Sequence, residues 1–202
     1  MSVSSLYCLS KEPLVWYNMS GDYTYLTEGY YHSMDRELEG IVIKPTIEES
    51  LDAYIVPLAL KKAEQAGIKI PASEMVMDEV SGRVLAYAVN PFSTKQAVIN
   101  APEESGAVLK ALTMGGKYAV LCQFLPSNYQ IVTVRSVMGK TVSCEFQEFV
   151  SAVFLAFQLP LMRITLIVHE QDYLFSSIKP LSLKELDIEE RAWLEEIGQW
   201  QK

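Results

Sequence analysis

His32 has the neighbours for acid–base or metal chemistry: Glu28, Asp35 and Glu37 all lie within five residues of it. On a helix, Glu28, His32 and Arg36 would stand one turn apart on one face, where an imidazole titrating near neutrality suits proton transfer. A metal site needs a second strong ligand, and the other histidine, His169, is far away in sequence. The surrounding stretch, GDYTYLTEGYYHSMDRELEG from Gly21 to Gly40, favours a solvated, tyrosine-rich face for a partner, centred on Tyr30, Tyr31 and His32. Tyrosine suits interfaces because it brings a large apolar body and a polar tip at low entropic cost. His169 falls in the polar connection His169-Glu170-Gln171-Asp172 and is expected to be an exposed turn residue.

Other catalytic signatures do not occur. The chain has no Gly-x-Ser-x-Gly elbow, no Walker lysine loop and no GxGxxG. Gly115-Gly116-Lys117 follows a helical pattern, so it ends a helix and does not cradle phosphate at the start of one. Cys8, Cys122 and Cys144 are odd in number and lack CxxC spacing, which points to free thiols in a reducing cytoplasm.

The elements that would position these groups can be read from punctuation and periodicity. Residues 3–9 and 14–19 are rich in β-formers. Ser33–Leu38 has helical character, and the IVIKP run forms a short strand. Thr46-Ile47-Glu48-Glu49 is a capping box opening a helix that Pro57 must kink or break. Strands are expected near 73–78, 83–89 and 117–125, with the Asn90-Pro91 break after the second and a short strand beyond it. A helix spans 102–114. Residues 130–137 and 140–145 read as a hairpin through Met138-Gly139. Phe146, Phe149, Val150, Val153, Phe154 and Phe157 form a helical stripe with the period of core packing, ended by Pro160. Strands at 162–168 and 172–178 follow, and the capping-box pattern at Ser182 and Glu185 leads to a C-terminal helix with Leu194, Ile197 and Trp200.

These elements fit in 202 residues, enough for one good core or two small lobes. The net charge of −8 argues against nucleic acid and anionic membranes as partners. No apolar run approaches the roughly 20 residues of a bilayer span, and the N-terminus has no secretory pattern. A cytoplasmic location is expected.

The order of parts resembles the ATP-grasp superfamily, nearest its glutamate-ligase-like (carboxylate–amine ligase) branch, over about residues 50 to 181. KKAEQAGIKIP resembles the approach to the nucleotide lobe, VLAYAVNPFSTKQAVI its strand–break–strand unit, and KYAVLCQFLP the strand ending at the adenine hinge. TVRSVMGKTV is similar to the hairpin after the hinge, and AFQLPLMRITLIVHEQDYLFSSIKPLS to the closing segment that carries metal ligands. LTEGYYHSMDRELEG resembles a domain found ahead of some glutamate-ligase-like ATP-grasp modules. The resemblance implies an α+β, two-lobed fold with mixed and antiparallel sheets and packed helices. Residues 1–45 would form a β and tyrosine-rich N-terminal segment. Residues 46–202 would form the module, with a small lobe at about 73–125 and the closing sheet and helices at 126–202.

It also implies ATP as cofactor, with Gln123, Phe124 and Leu125 at the hinge and Lys95 and Arg135 at the phosphates. The departures bear on activity. The family's strand-end lysine falls on Asn90, leaving Lys95 as the nearby replacement, and its acidic hinge position falls on Gln123. Its metal carboxylate positions fall on Thr165, Ser177 and Lys179, so Mg²⁺ lacks its ligands. Three expectations result. One is a non-catalytic ligand-binding or partner subunit, working with a protein partner or a second copy of itself. Another is an ATP-dependent carboxylate–amine ligase with an atypical site, in which Lys95, Arg135 and Lys179 hold phosphates and Glu28, Asp35 or Glu145 supply metal ligands. The third is a chance likeness of α/β alternation.

Overall fold

A computed structural model describes residues 6–9, 14–90 and 93–200. The Asn90-Pro91 break therefore lies partly outside the described residues, as do residues 3–5 of the first expected strand, whose remainder forms β1. In chain order the elements are β1 (Leu6–Leu9), β2 (Trp16–Asn18), α1 (Glu28–Leu38), β3 (Ile43–Lys44), α2 (Ile47–Tyr54) and α3 (Val56–Gln65). Then come β4 (Ser73–Val76), β5 (Val84–Ala88), β6 (Gln96–Ile99), α4 (Ser105–Leu112), β7 (Val120–Phe124), β8 (Tyr129–Val137) and α5 (Gln147–Phe157). The chain closes with β9 (Leu161–His169), β10 (Asp172–Pro180), α6 (Ile188–Ile197) and β11 (Gly198–Trp200).

They form three sheets, ordered β11-β1-β2-β3, β4-β7-β5-β6 and β10-β9-β8. All pairings are antiparallel except β2 with β3. The architecture is α+β, with packed helices and with mixed and antiparallel sheets, as expected. The first sheet joins β1 of the N-terminal segment to β11 at the far end of the chain.

β5 shows how the layers are built. All five residues of Val84-Leu85-Ala86-Tyr87-Ala88 are buried. Val84, Ala86 and Ala88 pack with Leu109 and Leu112 of α4. Leu85 and Tyr87 face the other way, into a core that includes Ile164, Leu166 and Phe175 of the β10-β9-β8 sheet and Val153 and Phe157 of α5. A strand covered on both faces reads as a continuous apolar run without alternation, as VLAYA does. The β4-β7-β5-β6 and β10-β9-β8 sheets thus share one core. A smaller cluster, Tyr17, Met19, Leu161, Leu181 and Leu194, joins the N-terminal sheet to α6.

Pro57 breaks its helix. Ile55 is extended, with φ −92° and ψ 99°, and α3 restarts with the proline in its first two positions, where a missing N–H costs nothing. α1 starts at Glu28, earlier than the Ser33 expectation, because the Thr27 side chain caps it by accepting from the Tyr30 N–H. The hairpin expected at 140–145 does not form. Only one bridge, Val137 to Lys140, follows the turn, and β8 takes β9 as its full-length partner. Gln147 explains this: its Oε1 accepts from the Thr141 N–H and its Nε2 donates to the Gly139 carbonyl, so α5 claims the groups a strand would pair. The capping box at Ser182 and Glu185 closes only a single 3-10 turn. A second box, Asp187 with Glu190, opens α6, which ends before Trp200.

Candidate functional site

Where the two larger sheets face each other, a polar chain is buried in the shared core. Tyr87 on β5, Gln123 on β7 and Ser176 and Ser177 on β10 are at most 3% exposed. Gln123 Nε2 donates to the Ser176 carbonyl at 2.9 Å, and Ser176 Oγ donates to Gln123 Oε1. Ser177 Oγ donates to the Tyr87 hydroxyl at 3.1 Å, and that hydroxyl lies 2.8 Å from Ser176 Oγ. With the Ser176 proton on Gln123, Tyr87 must be the donor to Ser176. A one-directional chain results, and such chains polarise each link. Two adjacent serines reach one tyrosine because the β9–β10 register shifts between Phe175 and Ser177. Burial pushes the Tyr87 phenol pKa above its usual value, partly offset by the two serine hydrogen bonds.

Of the three residues expected at the hinge, only Gln123 joins this chain, and Phe124 and Leu125 pack into separate apolar clusters. Both amide atoms of Gln123 are spent on Ser176. Phe124 is half-buried on β7 beside the α4 cluster, and Leu125 is buried in the main core. Asn90, at the end of β5, donates from its amide to Met114 Sδ at 3.0 Å.

On β10, β9 and β8 a row of cations crosses the sheet: Lys179 pairs with Arg163, and Arg163 with Arg135. Like charges in neighbouring cross-strand positions repel and need counter-charges. The C-terminal segment supplies them. Arg135 meets Asp187 at 2.8 Å, the buried Glu190 at 2.9 Å and the Glu185 carbonyl at 3.0 Å. Arg163 donates to the Pro180 carbonyl at 3.0 Å and pairs with Glu185. The Ser182 backbone N–H and the Arg163 and Arg135 guanidiniums hold the Glu185 pKa below the carboxylate range. Arg135 therefore ties α6 to the sheet.

Lys179, at the other end of the row, has no ion-pair partner among the described residues. It lines a narrow cleft of about 20 Å³ with the exposed Lys95, together with Ser93, Thr94, Tyr87 and Ser177. A second, more open cleft of about 530 Å³ adjoins it, sharing Thr94 and Lys179 and adding Arg163, Asp22 and Tyr25. Lys95 and Lys179 thus come together, and Arg135 stands two strands away from Lys179.

Thr165 and Ser177 occupy one cross-strand row, with Lys179 two residues further along β10. Two hydroxyls and an ammonium do not form a Mg²⁺ donor set, and the ammonium repels a cation. Among the described residues, no group of three or more His, Cys, Asp or Glu side chains is arranged to hold a metal. Glu145 accepts from the Tyr173 hydroxyl at 2.9 Å, and Glu28 and Asp35 both lie on α1.

In the tyrosine-rich stretch, Tyr30 is 8% exposed and packs edge-to-face with Tyr25 and Tyr31 at 5.3 and 5.9 Å. Tyr31 is exposed and His32 half-buried. Burial, then Arg36, lowers the His32 pKa against the opposing carboxylates. His169 is half-buried, at the end of β9. Sequence reasoning missed the serine pair and the Arg163 row. Their only signals were the polar SS inside an apolar strand and one basic residue in each of three strands.

The sequence profile of the RimK-like ATPgrasp N-terminal domain matches residues 9–197. The chain belongs to this family. No curated protein matches the sequence. Among solved structures, this family member is similar to a RimK domain ATP-grasp protein from Sphaerobacter thermophilus, with TM-score 0.59, 10% identity, and coverage of 83% of this chain and 72% of that one. D-alanine–D-alanine ligase from Helicobacter pylori gives TM-score 0.60 at 14% identity, over 82% of this chain and 64% of the ligase. The ATP-grasp ligase PsnB, solved with a minimal precursor, Mg and ADP, gives 0.57 at 12% identity, over 84% of this chain and 66% of that one. The chain thus spans about two thirds of the length of the ligases it resembles. Such identities establish the ATP-grasp fold alone. No described helix is long and apolar enough to cross a membrane.

Proposed function

We propose that this chain is a non-catalytic ATP-grasp-like module, a ligand-binding or partner subunit beside a RimK-like ligase. The observation that carries this reading is the buried Ser177–Tyr87–Ser176–Gln123 chain between the two sheets. An adenine at the hinge would have to break hydrogen bonds already made in a dry site, and buried polar groups left unpaired are costly. The positions of the expected metal ligands, Thr165, Ser177 and Lys179, support the same reading. The partner face is the outer side of the α1 region, where Tyr25, Leu26, Tyr31 and Leu38 are exposed while Tyr30 anchors them from within. The occupant is another protein or a second copy of the chain, in a cytoplasmic setting.

A working ligase with an atypical site is the second reading, favoured by Lys95 and Lys179 sharing one cleft. Thermal unfolding with ATP, with and without Mg²⁺, separates the two. A ligand at a hundred times its Kd adds about 2.7 kcal/mol of stability. The partner-subunit reading expects no Mg-dependent rise in Tm. A Mg-dependent rise, followed by ADP release when acids and amines are supplied, would sink it in favour of the ligase.

A further inference from the structure

α2 buries its small residues and shows its large ones. It hides Ser50 and Ala53, while Ile47 and Leu51, one helical turn apart, stay half-exposed. The break at Pro57 leaves Leu58 exposed in the first turn of α3. These three apolar side chains line a groove of about 520 Å³, whose remaining walls are Thr46 and three carboxylates, Glu37 of α1 and Glu48 and Asp52 of α2. No lysine or arginine lines it among the described residues. Carboxylates set back from the groove are answered, Glu39 by Arg36 at 2.7 Å and Glu49 by Lys44. On the groove itself Asp52 meets Lys62 at 2.9 Å, but Glu37 and Glu48 form no ion pair among the described residues. An apolar floor under two such carboxylates suits a segment that brings its own apolar anchors and its own cations, because lysine and arginine stems cover apolar surface while their heads reach the rim. Helices form the walls and no strand residue lines them, so the fitting shape is a helix laid in the groove. A second copy of this chain does not supply one. The exposed Ile188 of α6 stands among Glu189, Glu195 and Glu196, which would meet like charge, and the chain carries a net charge of −8.

We propose that the groove between α1, α2 and α3 docks a basic amphipathic helix of a partner protein, its apolar anchors on Ile47, Leu51 and Leu58 and its lysines or arginines against Glu37 and Glu48. This rests on the partner-subunit reading and supplies the partner's chemistry. Glu37 lies one residue before the exposed Leu38, so the groove extends the apolar face of α1.

The probe is a display library of random peptides of about 14 residues, about four helical turns, selected on the full chain. Enriched sequences are expected to carry Lys or Arg on either side of Leu, Ile, Met or Phe at helical spacing. Binding of an enriched peptide, followed by fluorescence anisotropy, is expected to weaken about tenfold or more in Leu58→Asp and in Glu48→Lys, and to weaken with added salt. Replacing the peptide's basic residues by glutamate is expected to abolish binding to the parent and to restore it in the double variant Glu37→Lys with Glu48→Lys. An apolar patch without charge recognition would not show that exchange. No enrichment, enrichment of neutral or acidic peptides, or an affinity unchanged in these variants would overturn the groove. If a variant unfolds, Leu58→Ser and Glu48→Gln in the same titration decide it. A dimer of the full chain in sedimentation that Leu58→Asp dissolves would give the groove to a second copy and overturn the basic partner. Peptides lost in Tyr31→Ser but kept in Leu58→Asp would overturn the groove and leave the partner-subunit reading intact. That reading falls separately, on a Mg-dependent rise in Tm with ATP.

Discussion

The Tyr87 hydroxyl lies 2.8 Å from Ser176 Oγ, joining the β4-β7-β5-β6 sheet to the β10-β9-β8 sheet inside the shared core. Removing that hydroxyl leaves Ser177 without its acceptor and Ser176 without its donor, all in a buried setting. Tyr87→Phe should therefore destabilise the fold by about 1–3 kcal/mol, the cost of unsatisfied buried polar groups. Denaturant unfolding of the variant checks this. A change within about 0.5 kcal/mol would mean that the chain of hydrogen bonds contributes little to holding the lobes together.

Arg135 is the clasp of α6, through the guanidinium contact with Glu190 at 2.9 Å. Glu190 is 1% exposed and also accepts from the Asp187 N–H at 3.0 Å as half of a capping box, so it serves the helix twice. Glu190→Gln keeps the shape and removes the charge. The expected loss is about 1–3 kcal/mol, below that of a fully buried pair because Arg135 is about a third exposed. Arg135→Met should cost a similar amount in denaturant unfolding, and a change within about 0.5 kcal/mol would mean that Arg135 does not hold α6 to the sheet.

These contacts show where a sequence is and is not informative. The capping box at Thr46, the break at Pro57 and the stripe from Phe146 to Phe157 are local patterns, and each appears where its spacing places it. The extended partner of 130–137 was misassigned because the side chain of Gln147, not backbone propensity, takes the donor of Thr141. The site was legible only through resemblance, which drew attention to Gln123, Lys95 and Lys179. The partners of Gln123 lie more than fifty residues away on β10, and the Ser176–Ser177 pair converges only because of a register shift. No periodicity encodes such contacts.

Gly29 offers a test in which local and tertiary rules oppose each other. Inside a helix, glycine to alanine normally gains stability, roughly 0.5–1 kcal/mol, by reducing chain entropy. Here a Cβ would sit 2.2 Å from the Asp22 carbonyl and 2.9 Å from Ser20 Cβ, because α1 packs directly on the 20–22 loop. The Gly29 carbonyl also accepts from the buried Asn18 side chain at 2.8 Å. Gly29→Ala should therefore destabilise, with Tm falling by several degrees. A rise in Tm would show that α1 stands off the loop in solution.

The pH dependence should carry the mark of Glu185. Its folded pKa lies below its ordinary value, so the group is ionised in the folded state at pH values where the unfolded chain already takes up protons. Its stabilising effect is then present above the unfolded carboxylate pKa, about 4.3, and lost as pH falls through the lower folded value. The Arg163 contact should loosen over the same acid range. Glu185→Gln removes both the titration and the ion pair. The variant's stability should approach that of the parent as pH falls through the lowered folded pKa and fall behind it at neutral pH. Parallel curves at all pH values would mean that Glu185 does not contribute through its charge.

Cys122 and Cys144 should separate by burial. Cys122 is buried on β7, and desolvation, with Glu74 across the strand pair, pushes its thiol pKa up to about 11. Thiolate is the reactive form, so at pH 8 Cys122 holds little of it and has no route to solvent. Cys144 is exposed in the turn before α5. A disulfide reagent added to the native protein at pH 8 should label Cys144 quickly and Cys122 only at the rate of unfolding. Cys144→Ser should remove one thiol from the fast phase without changing Tm by more than about a degree, as expected for an exposed site without special contacts. Fast labelling of Cys122 in that variant would show that β7 opens on its own, and that the buried chain through Gln123 does not hold the lobes shut.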